Sequence, residues 1–106
     1  MTEKRVVRLS QNALTALEQN KAAGGAALRK MRTTMGSIVT VSLSVSDSGA
    51  GSRVILRFKW GGATIQRLVG TVAATSRFEA LKLGWKMIRE EEIVEKEGWS
   101  WVSPSP

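Results

Sequence analysis

Residues 53–67, Arg-Val-Ile-Leu-Arg-Phe-Lys-Trp-Gly-Gly-Ala-Thr-Ile-Gln-Arg, read as a β-hairpin with one apolar and one cationic face. Successive side chains of an extended strand point to opposite faces. Val54, Leu56, Phe58 and Trp60 therefore share one side, and Arg53, Arg57 and Lys59 the other. Gly61-Gly62 stands where a two-residue hairpin turn needs positive φ. A tight turn there sets Phe58 beside Ile65, Arg57 beside Gln66 and Lys59 beside Thr64. Such a sheet buries one face and offers guanidinium and ammonium groups on the other, a surface suited to phosphates.

The chain around the hairpin supplies the rest of an α+β domain. From Ile38 to Val45 the residues alternate, Val39, Val41, Leu43 and Val45 against Thr40, Ser42 and Ser44, which predicts one half-buried strand. Ser46-Asp47-Ser48-Gly49-Ala50-Gly51-Ser52 reads as an exposed loop. The next strands are Arg53–Trp60 and Ala63–Val72. The open face then gathers Thr40, Ser42, Ser44, Arg53, Arg57, Lys59, Thr64 and Gln66. Arg67 falls out of pattern on the apolar face and Leu68 on the polar one. A bulge near Gln66, or a position for Arg67 at the sheet rim, reconciles them.

Ser76-Arg77-Phe78-Glu79 has capping-box spacing. The helix it starts carries Phe78, Leu81, Trp85 and Ile88 on one stripe, widened by Ala80 and Met87, which predicts a cover for the apolar sheet face. Trp85 then belongs to the core, and Gly84 permits close helix–sheet approach. Glu90-Glu91-Glu92 reads as a solvated stretch, with the helix continuing towards Gly98. Trp99-Ser100-Trp101-Val102 alternates like a short strand whose tryptophans either close the sheet edge or form an interaction surface. Towards the N-terminus, Ser10 is the candidate cap of a helix over 11–21 with Ala13, Leu14 and Leu17 as its apolar face. Ala22-Ala23-Gly24-Gly25 breaks it. Residues 28–35 form either a second short helix or an arm that orders on binding. The domain plan is a basic arm over 1–9, a single α+β domain over 10–102 and a disordered tail over 103–106: an N-terminal helical segment, a three- to four-stranded antiparallel sheet and one helix on one sheet face.

Charge narrows the function classes. Sixteen Lys and Arg against nine Asp and Glu give a formal net charge of +7 over 106 residues. Residues 1–89 hold 15 basic and 4 acidic side chains, a net of +11, while residues 90–97 hold five Glu and one Lys, a net of −4. A domain so basic over most of its length seeks polyanions. There is no Cys and no His, which removes disulfides, thiolate nucleophiles, imidazole bases and nearly all transition-metal sites. No Gly-x-x-x-x-Gly-Lys nucleotide loop occurs, Glu79 and Asp47 are taken by a cap and a turn, and Glu91, Glu92 and Glu95, a conceivable Mg²⁺ cluster, read as solvated helical glutamates, so no enzyme and no cofactor are expected. No apolar run approaches a membrane span and no secretory core follows the charged N-terminus, which points to a cytoplasmic protein.

The order helix, three strands, helix is that of the double-stranded-RNA-binding domain, but that family's lysine cluster has only Arg77 to match it in Thr75-Ser76-Arg77-Phe78. Arg57 to Trp85 resembles the three-stranded sheet plus helix of plant AP2-type domains and of the arm-binding domains of phage integrases. The shared features are a basic strand and turn, Leu68-Val69-Gly70-Thr71-Val72, then Glu79-Ala80 and Trp85; the family's aromatic after Gly-Thr is missing. The resemblance covers about 30 residues and implies a sheet face that enters the major groove, with Arg53, Arg57, Lys59 and Gln66 as reading or anchoring groups. Sequence reasoning thus yields a small DNA- or RNA-binding protein with DNA preferred. Its site residues are Arg53, Arg57, Lys59, Gln66, Arg67, Arg29, Lys30 and Arg32, with Lys4 to Arg8 adding phosphate contacts. The alternative is a protein-interaction module, such as a phage or mobile-element inhibitor or accessory factor. It would dock on an acidic partner through the same cations or through Trp99 and Trp101. A homodimer paired through exposed strand edges is the third possibility.

Overall fold

The computed structural model describes residues 11–48 and 51–103. The basic arm over 1–9, the Ser10 cap and residues 104–106 lie outside that range. The chain is α+β. Helix α1 (Gln11–Ala23) leads through a 3-10 turn (Ala26–Arg29) into β1 (Lys30–Arg32), β2 (Ile38–Thr40), β3 (Ser42–Ser48), β4 (Gly51–Trp60) and β5 (Ala63–Val72). Helices α2 (Arg77–Glu90) and α3 (Ile93–Lys96) and strand β6 (Ser100–Trp101) complete it. The strands form two antiparallel three-stranded sheets, ordered β2-β1-β6 and β3-β4-β5.

The β4–β5 hairpin has the expected register: Phe58 faces Ile65, Arg57 faces Gln66 and Lys59 faces Thr64. Gly61 and Gly62 have φ of 60° and 81°, the two left-handed positions of a type I′ turn. The out-of-pattern pair is resolved at two places. Arg67 keeps its position opposite Leu56, on the apolar side of the edge strand. The bulge lies beyond Leu68 rather than near Gln66: Ile55 pairs with Leu68 and Val54 with Gly70, leaving Val69 as the extra residue. Val69 and Val72 are thereby buried.

The alternating segment from Ile38 to Val45 is two strands, not one. Val39, Val41 and Leu43 are all buried, so side-chain alternation runs unbroken through it. The hydrogen-bonding partner changes at Val41. Its N–H donates to Arg29 O (2.9 Å) and its carbonyl accepts from Arg29 Nε (2.8 Å). Before it β2 pairs with β1; after it β3 pairs with β4. The predicted loop over 46–52 is also mostly strand, with Ser46 opposite Arg53, Asp47 opposite Ser52 and Ser48 opposite Gly51. Residues 28–35 are neither a helix nor an arm. They hold the end of the 3-10 turn and β1, the centre of the smaller sheet.

Helix α2 starts as its sequence dictates, with Ser76 Oγ accepting from the Glu79 N–H at 3.1 Å. The reciprocal half of the capping box is absent, because the Glu79 carboxylate accepts instead from the Thr75 hydroxyl at 3.2 Å. Ala80, Leu81, Trp85 and Ile88 are fully buried against Val54 and Leu56 of β4 and Leu43 of β3. Phe78, expected on this stripe, is 37% exposed.

Gly84 sets the helix–sheet spacing. A Cβ there would lie 2.8 Å from Val54 Cγ1 and 3.0 Å from Leu43 Cδ1, both on buried, branched side chains. Gly84→Ala gains about 1 kcal/mol of helix propensity and incurs about 1–3 kcal/mol of overpacking. The variant is expected to melt several degrees below the wild type; an unchanged or higher Tm would show that the helix can shift freely on the sheet.

The predicted run of helix from Glu90 to Gly98 is broken. Three successive carboxylates at the negative end of the helix dipole favour termination. The chain leaves α2 at Glu91, passes through a left-handed Glu92 (φ 53°) and restarts as α3. The restart turns Val94 fully into the core. The tryptophans beyond close that core. Trp99 stands edge-on to Phe58 (centroids 5.0 Å apart) and Trp101 packs against Trp85 (5.7 Å). β6 pairs with β1, Met31 opposite Trp101.

Of the apolar face expected for α1, the side chains of Ala13 and Leu14 lie outside those described, and Leu17 does not face the core. Leu17 is 48% exposed, while Gln19, Ala22 and Ala23 are buried. The Gln19 amide pairs both ways with the backbone of Leu43, Nε2 donating to Leu43 O (2.7 Å) and Oε1 accepting from the Leu43 N–H (3.0 Å). One side chain thus satisfies the β3 edge as a neighbouring strand would. Arg77 of α2 adds an ion pair to Glu18 at 3.1 Å, and Arg89 donates to the last carbonyl of α1, Ala23 O, at 2.7 Å.

Candidate nucleic-acid interface

The strand registers build the open face of the larger sheet in rows. Ser42, Arg57 and Gln66 form one row, Ser44, Ile55 and Leu68 the next, and Ser46, Arg53 and Thr71 the third. Lys59 and Thr64 pair nearer the hairpin tip. Arg53, Arg57 and Lys59 are exposed and have no ion-pair partner among the described residues. The carboxylates lie elsewhere. Asp47 faces the helix side, beside Val45, Ala74 and Arg77, and the other acids among the described residues sit on the helices and the segments that follow them. This leaves a cationic face without a carboxylate among the described residues, edged by hydroxyls and one amide.

The smaller sheet extends that surface. Lys30 and Arg32 flank the buried Met31 on β1 and project outward. Lys30 Nζ donates to Thr40 Oγ1 at 2.6 Å. Thr40 in turn lines a shallow groove with Ser42, Arg57, Phe58, Lys59 and Thr64 along the seam of the two sheets. Six of the eight site residues named from sequence are therefore brought to one side: Arg53, Arg57, Lys59 and Gln66 on the larger sheet, Lys30 and Arg32 on the smaller.

The other two are placed apart. Arg29 is 6% exposed. Its guanidinium donates to Val41 O (2.8 Å), Asn20 Oδ1 (2.6 Å), Ser42 Oγ (2.8 Å) and, more weakly, Ala16 O (3.4 Å). No carboxylate among the described residues faces it, and burial pulls its pKa below the ordinary arginine value. It fastens α1, the 3-10 turn and the β2–β3 junction together rather than reaching solvent. Arg67 stands on the opposite side of the sheet. Its Nε donates to Glu97 Oε1 (2.7 Å), its NH1 to Gln66 O (2.8 Å), and its guanidinium lies 5.6 Å from the centre of the Trp99 ring. By covering a carbonyl, and with the Val69 bulge beside it, Arg67 also blunts the outer edge of β5.

Of the middle row, Ser44 and Leu68 were placed on this face by the sequence pattern, and Ile55 was missed. Ile55 is half-buried and Leu68 is 56% exposed, so an apolar strip runs between the two arginine rows. Ile55 had a legible signal, since it alternates with Val54 and Leu56. Trp99 and Trp101, offered as docking groups, are half-buried and engaged with Phe58 and Trp85. Among the described residues no three acidic side chains converge as metal ligands would, and no helix is long and apolar enough to cross a membrane. No family model, curated protein or solved structure matches the chain.

Proposed function

We propose that the protein binds nucleic acid, DNA in preference to RNA, through the open face of the β3-β4-β5 sheet. The observation that carries this reading is the set Arg53, Arg57 and Lys59: exposed, without ion partners, and sharing a face with hydroxyl and amide groups but no carboxylate among the described residues. Lys30 and Arg32 add two phosphate contacts on the smaller sheet, and Gln66 supplies an amide suited to a base edge. The preference for DNA rests on the resemblance to the sheet-plus-helix DNA-binding domains.

Fluorescence-anisotropy titrations against single- and double-stranded DNA and RNA at several salt concentrations test it. Five engaged cations predict duplex-DNA binding with a log–log salt slope of about −4 to −5. Absence of binding at low salt sinks the proposal. A second reading is favoured by Leu68, whose exposed side chain lies amid the cations: an interaction module docking on an acidic protein with an apolar contact at its centre. In that case nucleic acids bind weakly and Leu68→Ser, rather than loss of charge, removes the partner.

A further inference from the structure

The seam groove, about 380 Å³ in volume, is a more specific feature than its charge alone. Two hydroxyls on its wall each accept a hydrogen bond from a cation. Ser42 Oγ accepts from the buried Arg29 at 2.8 Å, and Thr40 Oγ1 accepts from Lys30 at 2.6 Å. A hydroxyl has one proton to give and two lone pairs. With a cation donating to a lone pair, each hydroxyl is polarised towards giving its own proton. Neither proton has an acceptor among the described residues. Each hydroxyl can therefore give its proton to a ligand in the groove, and Arg57 and Lys59 on the same wall favour an anion there. Arg57 and Lys59, two residues apart on one strand, are separated by about 7 Å, enough to flank one tetrahedral oxyanion. Ser42 stands directly opposite Arg57 in the register.

We infer that Thr40, Ser42, Arg57 and Lys59 form a seat for a single phosphate, occupied by an internal phosphodiester of the nucleic-acid backbone, with Arg29 as the positioning residue behind Ser42. This inference rests on the proposed nucleic-acid reading for its occupant, but not for its oxyanion chemistry. The seat fixes where along the sheet the backbone crosses, at the junction of the two sheets.

The test uses the variants Thr40→Val and Thr40→Val/Ser42→Ala with two probes. The first is inorganic phosphate, followed by backbone amide NMR shifts; the second is a DNA duplex with either 5′-hydroxyl or 5′-phosphate ends. Phosphate is expected to move the amides of Thr40, Ser42, Arg57 and Lys59 in the wild type and not in the double variant. Both duplexes are expected to bind the wild type equally and the double variant about tenfold more weakly, the effect of losing two hydrogen bonds to a charged group in a hydrated groove. Thr40→Val alone does not touch Arg29, so it keeps the test valid if Ser42→Ala lowers stability; it is expected to lose about threefold. Unchanged affinity in Thr40→Val together with unchanged phosphate shifts overturns the seat. A requirement for a 5′-phosphate overturns the phosphodiester in favour of a terminal monoester. If phosphate shifts appear and vanish as expected while no duplex binds, the seat stands and the nucleic-acid reading fails. If duplex binding depends on Arg53, Arg57 and Lys59 but phosphate moves nothing, the seat alone fails.

Discussion

Replacing Arg53, Arg57 and Lys59 together by alanine is expected to weaken duplex-DNA binding by about 10²- to 10³-fold at 0.1 M salt. Each neutralised phosphate contributes about 0.9 to the log–log salt slope, so removing three contacts lowers the slope by about 2.7 units. The loss is therefore largest in dilute salt and shrinks as salt is added. All three side chains are exposed and project from the sheet face opposite α2, so the core is untouched. The fold should persist, with only a modest loss of strand propensity. Arg67→Ala is the informative contrast. It removes an equal charge, but from the other side of the sheet, where Glu97 already pairs it. Its effect on affinity should stay within about twofold. Its effect on stability should be small, because a partly exposed ion pair contributes about 0–1 kcal/mol. Equal losses from Arg67→Ala and from the triple variant would place the interface on the wrong face of the sheet.

The largest stability effect outside the hydrophobic core is expected at Gln19. Leu43 is 2% exposed, and its N–H and C=O on the outer side of β3 are satisfied by the Gln19 amide. Gln19→Leu keeps most of the volume and removes both bonds. Each buried polar group left without a partner costs about 1–3 kcal/mol, so the variant should lose about 2–6 kcal/mol. For a domain of this size that corresponds to a Tm lower by roughly 10 °C or more. Hydrogen exchange gives the local signature, since the Leu43 amide should lose protection ahead of its neighbours on β4. Leu17→Ala, on the same helix but half exposed, should change stability by less than about 1 kcal/mol. A Gln19→Leu variant as stable as the wild type would mean that water or a local shift replaces the amide, and that α1 docks by its alanines alone.

Arg29 carries the same lesson for function. As one of three basic residues in the four positions from Arg29 to Arg32 it had every sequence feature of a phosphate contact. Its neighbours Lys30 and Arg32 are exposed on β1 and remain available for that role. The difference is one of placement, since Arg29 ends the 3-10 turn where Val41 O, Asn20 and Ser42 converge on it. A buried arginine without a carboxylate is sustained by hydrogen bonds to backbone and neutral side chains, and such partners are scattered along the chain.

Local pattern in the chain encodes a definite part of this fold. The β4–β5 hairpin, its glycine turn and its register follow from alternation and the need for positive φ at Gly61 and Gly62. The Ser76 cap, the burial of Trp85 and the close approach at Gly84 follow from helical spacing. The cationic face was legible because Arg53, Arg57 and Lys59 recur with period two. Tertiary structure decided the rest. Alternation records which way a side chain points, not which strand the backbone bonds to, so the hand-over at Val41 from one sheet to the other left no mark in the pattern. The burial of Gln19 and Arg29, and the pairing of Arg67 with Glu97, depend on groups 9 to 30 residues away. Helix α2 stops where Glu90, Glu91 and Glu92 gather, but what turns the chain there into α3 is the space for Val94 in a core that exists only once both sheets have met.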